Sequence, residues 1–268
     1  MALLETSHLT VSFGGLKAVD DVGMRVEEGS LVGLIGPNGA GKTTFIDALT
    51  GFVPYSGVVE FAGRNIEGQV PHRRAQQGLA RTWQSIELFA DLSVRQNLKV
   101  AAEKGGVRTF LADLVWPCRK RDTDDTVEEV LRQLQLEPVA DRLPDELSNG
   151  QRKLVGVGRA LVTRAPLILL DEPAAGLDTR ESLQFATTLR SLVDSGLSLL
   201  LIDHDMGLVL RVCDYIYVLE FGKLIAEGAP GDIRTNDRVI TAYLGESAKA
   251  DIDSAHAALT EVDVETAT

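Results

Sequence analysis

One segment of the sequence places glycines, a lysine and two hydroxyls at a spacing suited to binding phosphate groups. Residues 36–44 spell GPNGAGKTT, which satisfies the pattern G-x-x-x-x-G-K-[ST] between a predicted strand and a predicted helix. Glycines let the backbone turn several N–H groups toward one anion, and the start of the helix adds partial positive charge. Lys42 supplies a full charge for the β- and γ-phosphates, and Thr43 a hydroxyl for Mg²⁺. The pattern predicts a phosphate loop made of Gly36, Pro37, Asn38, Gly39, Ala40, Gly41, Lys42, Thr43 and Thr44.

A second segment ends in two carboxylates. Residues 167–172 spell LILLDE, an apolar strand followed by Asp171 and Glu172. Asp171 is placed to hold Mg²⁺, and Glu172 to polarise a water beside the γ-phosphate. Paired acids after a strand are a weak signal by themselves, because many loops begin that way. Together with the phosphate loop they predict nucleotide hydrolysis.

A third segment, residues 147–151, reads LSNGQ and is called the signature turn below. Ser148 and Gln151 have the spacing of a capping box and predict a helix that runs to about Thr163. Simple helix capping would explain S-x-x-Q if it stood alone. A helix N-terminus that carries Ser148 and Gly150 is also a second anion site.

These segments lie in a chain of alternating strands and helices, which is typical of an α/β protein. The runs at 167–171 and 198–203 are almost wholly apolar, as in central strands buried on both faces. Apolar residues at helical spacing predict a helix near 127–134, and Thr126 with Glu129 predicts its capping box. The remaining predictions are strands at 8–14, 22–27, 31–35, 57–62, 79–84 and 215–219, helices at 42–50 and 180–194, and a loop or an insertion with a short helix at 105–125.

Composition narrows the function classes. The chain has 268 residues, 44% of them hydrophobic and 25% charged, which excludes wholesale disorder. Its formal net charge of −12 gives no general attraction to nucleic acid or anionic lipid. Two distant cysteines suggest neither a zinc site nor a disulfide framework. No signal peptide and no apolar run of membrane-spanning length is visible, so we expect no transmembrane segment.

With these motifs in order, the chain resembles the nucleotide-binding subunits of ATP-binding-cassette (ABC) transporters over about residues 3–245. Further elements of that family's series match in sequence order. Gln84 in RTWQ matches the glutamine loop, and Asp178 in AAGLD matches the D-loop. His204 in LIDHD matches the switch histidine, and Phe13 in VSFGG matches the aromatic residue that stacks on adenine. The joint match is far more specific than any single motif.

The resemblance implies a fold and a domain organisation. We expect a P-loop NTPase core sheet, an N-terminal antiparallel β-subdomain, and a helical subdomain inserted at about residues 86–160. The ABC ATPase domain would cover residues 3–245. An acidic, flexible tail would follow at 246–268, where six acids accompany one lysine.

The resemblance also implies an ATP- and Mg²⁺-dependent site shared by two subunits that pair head to tail. The signature turn of one subunit, with Ser148, Asn149, Gly150 and Gln151, would cover the γ-phosphate bound by the other. Glu172, His204 and Gln84 would be catalytic, and Thr43, Gln84 and Asp171 would serve the metal; Asp178 would lie at the nucleotide. Two residues depart from the pattern: Asn149 replaces the usual glycine, and Phe13 stands where tyrosine is common, although stacking needs only a π-face.

Finer details resemble the ATPase subunits of bacterial high-affinity branched-chain amino acid importers. They are RTWQSIELFADLSVRQNL, DEPAAGL, HDMGLV and the ending GKLIAEGAPGDIRTNDRVITAYLGE. Such a subunit would work at the cytoplasmic face of the membrane with a like or sister ATPase and two permeases, and indirectly with an extracytoplasmic binding protein. The permease groove would be formed with residues 85–98. Urea or amide import and lipopolysaccharide export are the alternatives, because the substrate does not touch this chain.

Two rival functions are disfavoured by the sequence. A soluble ABC-type ATPase acting on nucleic acid or ribosomes would carry long coiled coils or a second cassette, and neither pattern is present. A non-catalytic scaffold would be expected to lack Lys42, Glu172 or His204, and all three are present. We therefore expect an active ATPase with no nucleic-acid partner.

Overall fold

The computed structural model describes residues 1–82, 87–103 and 119–244. Its ten strands in this part of the chain are β1 Ala2–Phe13, β2 Leu16–Glu27, β3 Leu31–Ile35, β4 Ser56–Phe61, β5 Arg64–Asn65, β6 Leu79–Arg81, β7 Leu167–Asp171, β8 Ser198–Ile202, β9 Tyr215–Glu220 and β10 Lys223–Gly228. The α-helices are α1 Lys42–Thr50, α2 Pro71–Gln76, α3 Val94–Ala102, α4 Arg119–Gln133, α5 Asn149–Leu161, α6 Thr179–Asp194, α7 Met206–Val212, α8 Pro230–Arg234 and α9 Asp237–Leu244. Short 3₁₀ turns lie at Glu137–Val139 and Pro144–Glu146.

The larger sheet has six strands in the order β10-β9-β3-β8-β7-β6. All its neighbouring pairs are parallel except β9 with the edge strand β10. Every residue of β3, β7 and β8 is buried, as the apolar sequences of β7 and β8 predicted. Because parallel strands end at the same edge of a sheet, the segments that follow β3, β7 and β8 meet there.

The smaller sheet is antiparallel, with strand order β2-β1-β4-β5. Strand β1 pairs with both β2 and β4, and inward residues such as Leu4 and Val11 are fully buried. This sheet encloses α1 in one apolar cluster with Phe45 and Phe61. It is the antiparallel subdomain that the sequence predicted, although its strands begin earlier than the predicted 8–14 and 22–27.

Helices α3, α4 and α5 pack together between β6 and β7 in the sequence. The apolar face predicted on α4 is buried: Val127, Val130, Leu131 and Leu134 are at most 4% exposed. Gly158 of α5 allows the helices to approach closely, because a Cβ at this position would lie only 2.9 Å from the Leu98 side chain.

The predicted start of α4 is wrong. The helix begins at Arg119, so Thr126 lies inside it and cannot be the N-cap of a box with Glu129. Instead, the buried Thr126 hydroxyl accepts a hydrogen bond from Arg164 at 2.7 Å. The capping pattern was misleading because a threonine inside a helix can bond to a neighbouring element as well as to its own backbone. The helix includes 119–125 of the segment predicted as a loop or an insertion with a short helix, and the rest of that segment lies outside the described residues.

Strands β5 and β10 and helices α2, α7, α8 and α9 were not predicted. No helix in the described ranges is long and apolar enough to cross a membrane.

Candidate nucleotide site

The phosphate loop connects β3 to α1, at the edge of the sheet where the parallel strands end. Gly41 immediately precedes α1 with φ of 99°, and a Cβ on it would lie 2.4 Å from the backbone oxygen of Ala18. Gly39 has φ of 81° but open space around the position of a Cβ. As predicted, α1 ends at Gly51, whose N–H bonds the carbonyls of Asp47 and Ala48.

Alanine at these two glycines should separate backbone strain from a steric clash. Gly39→Ala should cost about 1–2 kcal/mol in free energy of unfolding, because an L-residue is disfavoured at positive φ. Gly41→Ala should cost about 1–3 kcal/mol more, since its Cβ also meets backbone that must move. Urea denaturation of the nucleotide-free protein measures both changes. Equal losses for the two variants would contradict the close approach at Gly41.

Lys42 lies buried at the centre of this loop, 6% exposed. Its Nζ donates hydrogen bonds to the carbonyls of Gly36 at 2.6 Å and Pro37 at 3.0 Å. Burial lowers the pKa of Lys42, while the charges of Glu172, Asp203 and Asp171 act in the opposite direction. The ammonium group is thus a desolvated cation within a backbone cradle, which is what binding of an oxyanion requires.

The two carboxylates after β7 lie in different environments. Asp171 is the last residue of β7, is 6% exposed, and accepts a hydrogen bond from Arg81 at 2.8 Å. Glu172 leaves the strand with φ of 46°, and its N–H bonds the carbonyl of Ile202 at 2.7 Å. Its Oε1 lies 3.7 Å from Nδ1 of His204, which is more than half exposed. The ends of β7 and β8 therefore bring Glu172 and His204 together.

Asp203 is a site residue that the sequence analysis missed. Its side chain is fully buried, and Oδ1 accepts the backbone N–H groups of His204 and Asp205 at 2.8 and 3.0 Å. Its Oδ2 accepts the N–H of Ala174 at 3.3 Å, which links the segments after β8 and β7. Burial raises the pKa of Asp203, and these backbone donors oppose that rise. The available signal was a carboxylate directly after the apolar strand SLLLI.

The signature turn caps α5, as predicted. The Ser148 hydroxyl accepts the N–H of Gln151, and the Gln151 side chain accepts the N–H of Ser148. Asn149, the departure from the family pattern, donates from Nδ2 to the carbonyl of Gly176 at 2.7 Å. The N–H of Gly150 donates to Oε1 of Glu181 at 3.2 Å. These two contacts connect the turn to the segment 176–181 of the same chain.

Other predicted site residues lie as follows. Phe13 ends β1 with its ring 52% exposed, and is accessible for stacking. Asp178 caps α6 by accepting the N–H of Glu181 at 2.7 Å. Thr43 and Thr44 lie in the first turn of α1, with Thr43 exposed. Gln84 lies outside the described residues.

The oxygen ligands near the phosphate loop fit Mg²⁺ bound together with a nucleotide. Thr43 offers an exposed hydroxyl and Asp171 a carboxylate. In the described ranges, no group of three or more His, Cys, Asp and Glu residues could hold a metal unaided. Protein Mg²⁺ sites commonly use one or two carboxylates with phosphate oxygens and waters, so this sparse set is sufficient.

Comparison with known proteins agrees with this geometry. The family model for ABC transporters matches residues 19–175, and that for the branched-chain amino acid ATP-binding cassette transporter matches residues 223–249. The chain is similar to the high-affinity branched-chain amino acid transport ATP-binding protein BraF of Pseudomonas aeruginosa, with 39% identity over 91% of this chain and 98% of that protein. It is also similar to the high-affinity branched-chain amino acid transport ATP-binding protein LivG of Escherichia coli K12. The identity is 37%, over 91% of this chain and 98% of that protein.

Another relative is the lipopolysaccharide export ATP-binding protein LptB of Escherichia coli K12, with 34% identity over 92% of this chain and 98% of that protein. Among solved structures, an ATP-binding cassette of an ABC transporter in its ADP conformation superposes with a TM-score of 0.81. It is 31% identical and covers 91% of this chain and 99% of its own. The chain belongs to the ABC transporter family, and it is one of that family's ATP-binding and ATP-hydrolysing subunits.

Proposed function

We propose that the chain energises import of branched-chain amino acids, leucine, isoleucine and valine, by hydrolysing ATP. The observation that carries the substrate class is the match of residues 223–249 to the branched-chain cassette model. The full-length similarity to BraF and LivG supports it. The described part of the matched ending forms β10, α8 and α9. In sequence it follows all the motifs that are common to ABC ATPases, so it bears on the subgroup rather than on ATP chemistry.

Within one subunit, the phosphate loop would bind the phosphates and Phe13 would stack on adenine. Lys42 would neutralise charge on the β- and γ-phosphates, with the backbone of residues 36–41 and the hydroxyls of Thr43 and Thr44 around them. Thr43, Asp171 and Gln84 would hold Mg²⁺, which when bound neutralises phosphate charge. Glu172 would accept a proton from the attacking water, and His204, held by its Asp203-bonded backbone, would contact the γ-phosphate.

The second anion site of each subunit would serve its partner. Ser148, Asn149, Gly150 and Gln151 of one subunit would face the γ-phosphate of the other, with Asp178 nearby. In this structure Asn149 and Gly150 contact Gly176 and Glu181. The signature turn and the D-loop would therefore approach a partner as one unit. Formation of this dimer on ATP binding would be a ligand-driven shift between two states.

The transmembrane partners would be two permeases, with an extracytoplasmic substrate-binding protein acting through them. A cleft of about 850 Å³ between α3, α5 and β6 suits a permease segment, because it combines apolar and charged side chains. Leu88 and Phe89 supply apolar surface, and Glu87, Lys153 and Arg159 supply charge. This arrangement would place the chain at the cytoplasmic face of the membrane, as a homodimer or with a sister cassette.

The proposed domain bounds are residues 3–245 for the ATPase domain, with the helical subdomain inserted at about 86–160. The contacts of α3 with α4 and α5 support the insertion. The tail proposed at 246–268 lies outside the described residues.

Uptake of labelled leucine, isoleucine and valine tests the proposal. Cells that lack this gene should lose uptake, and wild-type protein should restore it, whereas Lys42→Ala should not, because the phosphate charge would lack its cation. The strain must carry no other importer of these amino acids. Unchanged uptake in the deletion strain would refute the substrate class and leave the ATPase identity in place.

The second candidate is lipopolysaccharide export, which is favoured by the similarity to LptB. It would be indicated if depletion of the protein left uptake intact and caused lipopolysaccharide to accumulate at the inner membrane. Labelled urea and short amides test the related import systems in the same strains.

A further inference from the structure

A buried arginine bridges the phosphate-loop helix and the carboxylate proposed for the metal. Arg81 is the last residue of β6, and its side chain is only 6% exposed. Its Nη1 lies 2.6 Å from Oδ1 of Asp47 on α1, and its Nη2 lies 2.8 Å from Oδ2 of Asp171 at the end of β7. Arg81 is the first residue of the RTWQ segment, but the sequence analysis gave a role there only to Gln84, and none of its motifs contains Asp47.

The ion pairs of Arg81 are suited to holding the Asp171 carboxylate in one position. A guanidinium group is planar and rigid, so its two terminal nitrogens fix the positions of the two bound carboxylate oxygens relative to each other. Asp171 is itself buried, at 6% exposed, and removal of a buried ion partner normally leaves a costly unpaired charge. The second carboxylate, Asp47, holds the guanidinium from the opposite side and is carried by the helix that starts at Lys42.

We propose that Arg81 is a positioning residue for the Mg²⁺ that binds with the nucleotide. It engages Oδ2 of Asp171, and Oδ1 would be the oxygen offered to the metal. Through Asp47 it ties that oxygen to the helix that carries Thr43, the other described oxygen ligand. This inference rests on the proposed role of Asp171 and concerns the residue that orients it. Partners that orient metal ligands typically contribute about 10–100-fold to metal affinity.

The direction of the change in metal affinity distinguishes a positioning role of Arg81 from a purely electrostatic one. By Coulomb's law, removal of a positive charge beside Asp171 should strengthen its attraction for a divalent cation. Loss of positioning should weaken metal binding instead, because the freed carboxylate can rotate away. Arg81→Met, which keeps a long side chain without its charge, therefore has opposite expected results under the two explanations.

The experiment measures binding of a fluorescent ATP analogue in EDTA, and then binding of Mn²⁺ to the nucleotide complex by electron paramagnetic resonance. For Arg81→Met we expect Mn²⁺ affinity to fall about tenfold or more. Affinity for the analogue in EDTA should remain within about twofold, because Asp171 would not contact phosphate. Arg81→Lys should lose several-fold in Mn²⁺ affinity, since a point charge can reach either carboxylate but does not hold both in plane.

Arg74→Met is the matched control. Arg74 is also buried and also contacts α1, where Nη1 donates to the carbonyls of Ala48 and Leu49 at 2.8 and 2.7 Å. It makes no contact with Asp171 among the hydrogen bonds of the described residues. We expect a lower unfolding temperature with Mn²⁺ affinity unchanged within about twofold.

Unchanged or tighter Mn²⁺ binding in Arg81→Met would overturn the proposal. If that variant does not fold, unchanged Mn²⁺ binding in Arg81→Lys would overturn it equally. Equal loss in Arg74→Met would show that general loosening of α1 is responsible, and would also overturn it. Failure of the wild-type protein to bind the analogue both in EDTA and with Mn²⁺ would instead count against the proposed nucleotide site.

Discussion

Replacement of Glu172 by glutamine should lower the ATPase rate by about 10²–10⁴-fold while ATP binding is retained. Glutamine has the size of glutamate but cannot accept the proton of the attacking water. The change also removes a negative charge whose Coulomb effect reaches Lys42 at the centre of the phosphate loop. The expected product is an ATP-bound dimer that persists. Phosphate release gives the rate, and light scattering with and without ATP gives the mass.

Glu60→Gln is the matched control for this substitution. Glu60 is an exposed residue of β4 in the antiparallel sheet, paired with Glu5 of β1 across the strands. The Glu60→Gln substitution makes the same change of charge outside the segment that follows β7. The control should have wild-type turnover and no lasting ATP-dependent dimer. Wild-type turnover in Glu172→Gln would refute the assignment of Glu172 as the proton acceptor.

Lys42→Ala should weaken ATP binding about 10–150-fold, because hydrogen bonds to charged groups contribute roughly 1.5–3 kcal/mol each. The buried ammonium group is the charge at the centre of the loop, and alanine leaves the carbonyls of Gly36 and Pro37 without this donor. Hydrolysis should fall with binding. Titration with a fluorescent ATP analogue measures the affinity, and circular dichroism checks that the fold is kept.

Lys17→Ala provides the comparison. Lys17 lies on β2 and pairs with Asp20 at 2.6 Å, but its side chain is 58% exposed. An exposed pair of this kind contributes little, so ATP affinity should remain within about twofold of wild type. If the two variants bound ATP equally well, the role of Lys42 as the phosphate cation would be wrong.

The fold could be predicted furthest where the sequence pattern is local. Strands β3 and β7 and helix α1 have the predicted bounds, because uniform apolar runs and a glycine C-cap specify their ends without help from distant residues. The predicted start of helix α4 at Thr126 lies after the observed start at Arg119. The Thr126 hydroxyl accepts a hydrogen bond from Arg164 instead of capping the helix, and no local pattern reveals this tertiary contact. Strand β10 depends on antiparallel pairing with β9 at the sheet edge.

The site divides in the same way. The sequence by itself identified the phosphate loop, the acid pair at 171–172 and the capped signature turn, because each is a run of residue types whose chemistry follows from short spacing. His204 was identified only by its place in the family's series of motifs. Only the tertiary structure decided that Asp203 holds the backbone after two strands, that Asn149 bonds Gly176, and that Arg81 joins Asp47 to Asp171. These contacts connect residues far apart in the chain. Their geometry depends on how the parallel strands and their helices pack, and periodicity along one segment carries no information about that packing.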